Sequence, residues 1–209
     1  MSKKFVSNKN ETIRLFENDI LEALSRVHYS VPIILYIPVI TYFIFISFST
    51  HQLSALTVIG LFAGGFALWS IFEYLVHRFI FHYPVKSKIG KQLHFLFHGI
   101  HHDYPNDSKR LVMPPSVSIP LFFFFYFVYL YTLGPSLMFS FYAGFIMGYL
   151  VYDITHYAVH HFNIKNKYWL KIKKHHMLHH YQDEHKGYGV SSPLWDRIFS
   201  TDFPKKKKS

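Results

Sequence analysis

The sequence predicts an all-α integral membrane protein, with four transmembrane helices in two hairpins and a cytoplasmic helical cap rich in histidine. Three observations carry this. Four apolar runs approach the ~20 residues that a spanning helix needs. All 22 Lys and Arg residues lie outside the stretches from Val27 to His77 and from Leu111 to Ile164. Fourteen of the 16 histidines fall between His77 and His185.

The elements follow in order. Residues 1–30 form an N-terminal segment in which Ile13, Phe16, Ile20, Leu24 and Val27 recur at three- and four-residue spacing after a candidate cap at Asn10. That pattern predicts an amphipathic helix lying at the membrane interface or packed on the cytoplasmic domain. Glu17, Asp19 and Glu22 exclude a signal peptide, whose core is apolar. Val31 to Thr50 and Leu53 to Val76 are the first two spans. Val117 to Leu133 and Ser136 to Tyr152 are the next two, with Gly134-Pro135 as the turn between them. The short loops at His51 and Gly134 carry no charge. The N-terminus, the Arg78–Arg110 connection and the C-terminal segment carry every positive charge and so face the cytoplasm. The membrane domain spans 31–203, and 204–209 is a basic tail suited to anionic headgroups. Within that tail, Lys206 and Lys207 have the spacing of a dilysine retrieval signal. In a eukaryote this reading places the protein in the endoplasmic reticulum; in a bacterium the signal has no meaning, and the expected location is the inner membrane.

Composition narrows the chemistry. The absence of cysteine excludes disulfides, thiolate zinc sites, iron–sulfur clusters and thiolate-ligated haem. The net charge of +10 flanks long apolar runs instead of forming a soluble basic face, so the anionic neighbour is phospholipid and not nucleic acid.

The histidines fall in four tight groups. His77 and His82 are five apart; His94, His98, His101 and His102 follow; then His156, His160 and His161; then His175, His176, His179 and His180. Residues three and four apart share a helix face. His98 with His101 and His102, His156 with His160, and His176 with His179 and His180 can therefore converge. His77 and His82 stand about 140° apart on an ideal helix, so they serve one centre only if the second span ends or distorts there. Ten positions emerge: His77, His82, His98, His101, His102, His156, His160, His176, His179 and His180. Ten imidazoles serve two metals with about five each. His94, His161 and His175 either support the liganding rings from behind or substitute for one of the ten, and His28, His51 and His185 fall outside the pattern. Imidazole suits iron, zinc, copper or nickel, and oxygen chemistry at an open position favours iron. Glu73, four residues before His77, and Asp153, three before His156, are carboxylates at span ends. An unpaired charge is costly there, and their expected role is to accept the ring N–H of a liganding histidine.

The segments EYLVHRFIFH, HFLFHGIHHDYP, DITHYAVHH and KKHHMLHH resemble the histidine boxes of the fatty acid hydroxylase and sterol desaturase superfamily. RLVMPP (110–115) and YGVSSPLWDRIFST (188–201) are more particularly similar to the catalytic domain of fatty acid 2-hydroxylases. The resemblance covers about residues 31–203, and the ten positions match the family's ligand pattern. It implies a four-span monooxygenase whose two iron ions use O2 to hydroxylate C2 of a fatty acid or ceramide N-acyl group. Zinc takes the same imidazoles and can occupy them in purified protein. About thirty residues precede the first span in this sequence, so the resemblance leads us to expect electrons from a separate cytochrome b5-like or ferredoxin-like partner. Ser200 stands where the family usually has Gly, a change expected to be tolerated in a turn. The lipid substrate is expected to enter from the bilayer with its head near Asp103–Ser116, and Phe122–Phe125 either line that route or simply pack. Two rivals follow. A sterol or carotenoid oxidase or acyl desaturase would share the histidines. A metal-transport protein would need its sites mid-membrane, whereas these histidines lie at span ends.

Overall fold

Backbone amides in hydrocarbon must bond within their own segment, so long apolar runs become helices. A computed structural model, which describes residues 5–204, is all-helical by that rule, with no strand among the described residues. The helices are α1 (Asp19–Leu24), α2 (Ser30–Ser49), α3 (Ala55–Val76), α4 (Lys88–His94), α5 (Ile100–Asp103), α6 (Pro115–His161), α7 (Lys167–Tyr181) and α8 (Leu194–Ile198). Two π-turns, His77–Phe81 and Phe95–Gly99, lie between α3 and α4 and between α4 and α5. Among the described residues, three helices are long and apolar enough to cross a membrane: Ser30–Ser49, Ala55–Phe81 (with the first π-turn) and Pro115–His161. The lysines of the basic tail, including Lys206 and Lys207, lie outside the described residues.

α6 is interrupted at Gly134, whose φ of 74° is a left-handed conformation that favours glycine. In a straight helix Phe122 and Tyr142 would be ~30 Å apart. Instead the Tyr142 hydroxyl donates to the Phe122 carbonyl at 2.6 Å, and Tyr129 meets Phe141 with ring centroids 5.2 Å apart. The arms before and after Gly134 therefore fold back on one another.

The chain divides into two compact units, one comprising Met1–Glu11, Ile71–Leu111 and Thr155–Ser209, the other Thr12–Ser70 and Val112–Ile154. In the second unit, α3 and α6 approach closely through glycine. A Cβ built on Gly65 would stand 1.9 Å from the Phe141 carbonyl oxygen, and one on Gly144 would stand 1.9 Å from that of Phe62. Such small-residue crossings are the usual way helices pack in lipid, where no hydrophobic drive joins them. Around that crossing Phe43 packs on Phe122 and Tyr142. Buried hydroxyls bridge helices: Ser140 donates to Ser47 at 2.7 Å and Tyr36 to Ser118 at 2.9 Å. Of the Phe122–Phe125 run, Phe122 and Phe125 pack inward on Tyr142 and Phe145, while Phe123 and Phe124 are exposed.

The N-terminal helix is shorter than its periodicity predicts. Residues 11–17 are irregular, and α1 is capped at its start by Asn18, whose Oδ1 accepts from the Ile20 and Leu21 amides. The buried Glu22 carboxylate takes the Leu15 and Phe16 amides at 2.9 and 3.1 Å. Those donors are thereby withdrawn from an upstream helix, so the Asn10 cap does not form one. Ile20, Leu21 and Leu24 are exposed.

Candidate metal centre

All ten histidines singled out by spacing lie in the first unit, and they gather in two groups of five. His77, His82, His98, His102 and His179 form group A; His101, His156, His160, His176 and His180 form group B. Within each group the candidate ligand atoms lie within 4.8 Å of one another.

Local backbone explains the first group. The π-turn at His77–Phe81 closes with the His82 amide on the His77 carbonyl, an i→i+5 bond that sets residues five apart over one another. The distortion that the His77–His82 spacing requires is therefore present, and the two rings lie 5.0 Å apart. His98 and His102 are four apart and meet at 3.0 Å through their Nε2 atoms.

Group B is built from two i,i+4 pairs, His156 with His160 and His176 with His180. His176 Nε2 lies 3.0 Å from both His160 Nε2 and His180 Nε2. The fifth member of each group comes from a helix that serves the other. His101 sits in sequence between His98 and His102 but joins group B, meeting His156 at 2.8 Å. His179 sits between His176 and His180 but joins group A, its ring 4.7 Å from those of His77 and His82. The trios expected on one face are thus split, because a step of one or three residues turns a side chain ~100° or ~60° away from its neighbour's direction.

The Nε2 atoms point inward. His98 Nε2 lies 3.1, 3.0 and 3.0 Å from the Nε2 atoms of His77, His82 and His102. One nitrogen carries at most one proton, so hydrogen bonding cannot satisfy all three approaches. Convergent lone pairs on a shared point are what a cation needs. The Nδ1 atoms of His77 and His179 meet the Tyr188 carbonyl at 2.5 Å and the Lys186 carbonyl at 2.7 Å. A carbonyl only accepts, so each Nδ1 bears the proton and each Nε2 keeps its lone pair. His179 Nε2 is buried with no hydrogen-bond partner among the described residues. This donor set fits a pair of borderline metal ions.

Electrostatics keep the rings neutral. Burial, followed by the neighbouring His179, pulls His82 down to about 2, and burial pulls His179 down to about 4. His98, His101, His102, His176 and His180 are pushed well below the usual imidazole range, chiefly by burial and then by neighbouring histidines. Neutral imidazole is the ligating form.

The residues expected to support the ligands are placed differently from one another. Glu73 accepts from the amides of Val190 and Ser191 and from the Ser191 hydroxyl, at 2.9, 2.8 and 2.6 Å, so its partner is a loop and not an imidazole. Asp153 accepts from the Tyr149 hydroxyl and the Met113 amide. His175 donates to Asp196 at 3.1 Å. His161 stacks on Tyr157. His94 lines a cavity of about 280 Å³ together with His82, Lys91 and His185. Sequence reasoning missed Asp196, which is fully buried and accepts from the Tyr188 and Gly189 amides at 2.9 and 2.8 Å and from the Thr201 hydroxyl at 2.7 Å. Burial alone would raise its pKa, but the His175, Thr201 and Gly189 hydrogen bonds outweigh burial and hold it low. A carboxylate within a hydrophobic terminal helix was the available signal. Ser200 has a φ of 58°, which accounts for the glycine expected at that turn.

Apolar helices of spanning length and two buried five-imidazole groups define a helical membrane-type protein with sites able to hold two metal ions. The chain belongs to the fatty acid hydroxylase family, whose model matches residues 62–201. It is 39% identical over 194 residues to the dihydroceramide fatty acyl 2-hydroxylase FAH2 of Arabidopsis thaliana, covering 90% of this chain and 79% of that one. It is 39% identical to the fatty acid 2-hydroxylase of Homo sapiens, covering 93% of this chain and 58% of that one. Among solved structures, the hydroxylase domain visible in full-length scs7p superposes with a TM-score of 0.85 at 35% identity, covering 91% of this chain and 72% of that one.

Proposed function

We propose that this chain hydroxylates C2 of a fatty acyl group, free or amide-linked in a ceramide, using O2 and two iron ions held by the ten histidines of groups A and B. The observation that carries the reading is the pair of five-imidazole groups within 4.8 Å limits, in a chain whose relatives are named acyl 2-hydroxylases. Bound iron would supply the activation of dioxygen and the insertion of one oxygen atom into a C–H bond. The protein's own part is to hold the Nε2 lone pairs convergent, to keep the imidazoles deprotonated by burial, and to place the acyl C2 beside them with water excluded.

In this reading the chain crosses the membrane four times, α6 contributing two spans on either side of Gly134. The Tyr142–Phe122 bond supports that count. The histidines face the cytoplasm, where a separate cytochrome b5-like or ferredoxin-like donor delivers two electrons per turnover. The acyl tail enters laterally from the bilayer. In a eukaryote the membrane is the endoplasmic reticulum, in a bacterium the inner membrane.

The test is mass spectrometry of hydrolysed fatty acids from a host that lacks 2-hydroxy lipids, expressing this chain or its His179→Ala variant with a redox partner. The reading expects 2-hydroxy acids from the first and none from the second. Hydroxylated sterols or desaturated acids in place of 2-hydroxy acids would contradict it.

A further inference from the structure

We infer that the two metal positions are held unequally, and that Asp196 and Glu73, acting through the loop 186–191, are positioning residues that make group A the tighter site. This rests on the two-metal reading above. Both carbonyls that orient group A rings, Lys186 and Tyr188, belong to that loop. The loop has little regular structure of its own, so something must fix it. Asp196 holds its middle through the Tyr188 and Gly189 amides, and Glu73 holds its end through the Val190 and Ser191 amides and the Ser191 hydroxyl. Asp196 is itself fixed by His175 and Thr201. Gly187, at φ 71°, bonds the Thr201 carbonyl and lets the chain reverse. Two buried carboxylates thus act one bond beyond the imidazoles, through backbone.

Four rings of group B have no such support among the described residues. Among the described residues, the Nδ1 atoms of His101, His160, His176 and His180 are buried with no hydrogen-bond partner. Their Nε2 atoms face inward, so the outward nitrogen of each ring is the one left without an acceptor. An outer acceptor on the ring N–H raises ligand basicity and fixes ring orientation, and its loss costs ~10–100-fold in metal affinity. Group A has that support at His77 and His179; these four rings of group B lack it.

The test uses the purified full chain loaded with Zn2+ and follows release to an excess of a chromogenic chelator. Two ions per chain should leave in two phases, and His101→Ala should remove the fast one. Asp196→Asn should accelerate the slow phase ~10–100-fold while leaving the fast phase unchanged. Ser191→Ala, which removes one of three donors to Glu73 and leaves Asp196 intact, should accelerate the slow phase less and decides the matter if Asp196→Asn does not fold. A general loosening of the protein would speed both phases alike and would overturn the inference, as would a single phase for both ions or a slow phase moved by neither variant. Fewer than two ions bound by the unaltered chain would instead overturn the two-metal reading.

Discussion

Acidification of the metal-free protein is a direct probe of the imidazole groups. His179 is fully buried and pulled down to about 4, against 6.5 in an unfolded chain. Between those two values the unfolded state binds a proton that the folded state refuses, so stability falls as pH drops from 6.5 toward 4. Going from pH 7.5 to 5.5 therefore costs about 1.4 kcal/mol from His179 alone. His98, His101, His176 and His180 are buried and shifted the same way, so each adds a loss of the same sign. Because net stabilities are only ~5–15 kcal/mol, the summed effect should be large. The assay is thermal unfolding in detergent at pH 7.5 and 5.5, after chelation and after reloading with Zn2+. The metal-free protein should lose several degrees in Tm at the lower pH. The loaded protein should resist until protons displace the ion, because a nitrogen bound to metal has no lone pair for a proton. A metal-free Tm unchanged across this range would refute the burial of neutral imidazoles.

Further outcomes follow from single positions. Ser200→Gly relieves a left-handed residue at φ 58° and should raise stability by about 0.5–1 kcal/mol in denaturant titration, the rest of the gain being offset by the unfolded chain's added freedom. Gly144→Ala forces a Cβ to within 1.9 Å of the Phe62 carbonyl oxygen and should cost about 1–3 kcal/mol, seen as a lower Tm. Thr201→Val leaves the buried Asp196 short of a hydrogen bond of 2.7 Å and Tyr74 short of one of 3.0 Å, and should destabilise by about 1–3 kcal/mol by the same measure.

Much of the site was legible because its chemistry is local. The spacing of His156–His160 and His176–His180 places each pair on one helix face, and the five-residue His77–His82 interval demands a distorted turn, which the π-turn provides. Gly134-Pro135 likewise marks the break in α6, since glycine alone takes φ 74° without cost. What was not legible depends on tertiary approach. Nothing in the spacing of His98, His101 and His102 says that the middle one serves a different group, or that His179 crosses the other way. The second π-turn, Phe95–Gly99, has no sequence signal that we can name. The N-terminal periodicity misled because Glu22 binds the Leu15 and Phe16 amides, a competition visible only once the chain has folded. Glu73 was singled out for its position, but its partner lies more than a hundred residues along the chain, in a loop with no motif pointing back to it.

The central claim is that the two histidine groups direct O2 to the acyl C2. Purified protein loaded with Fe2+ under reducing conditions, given a long-chain fatty acid or a ceramide under 18O2, tests it most directly. The account predicts a 2-hydroxy product carrying one 18O atom at C2, absent from His179→Ala and His160→Ala proteins loaded in the same way. Product oxygen drawn from water, hydroxylation at another carbon, or no product from a fully loaded and reduced protein would contradict it.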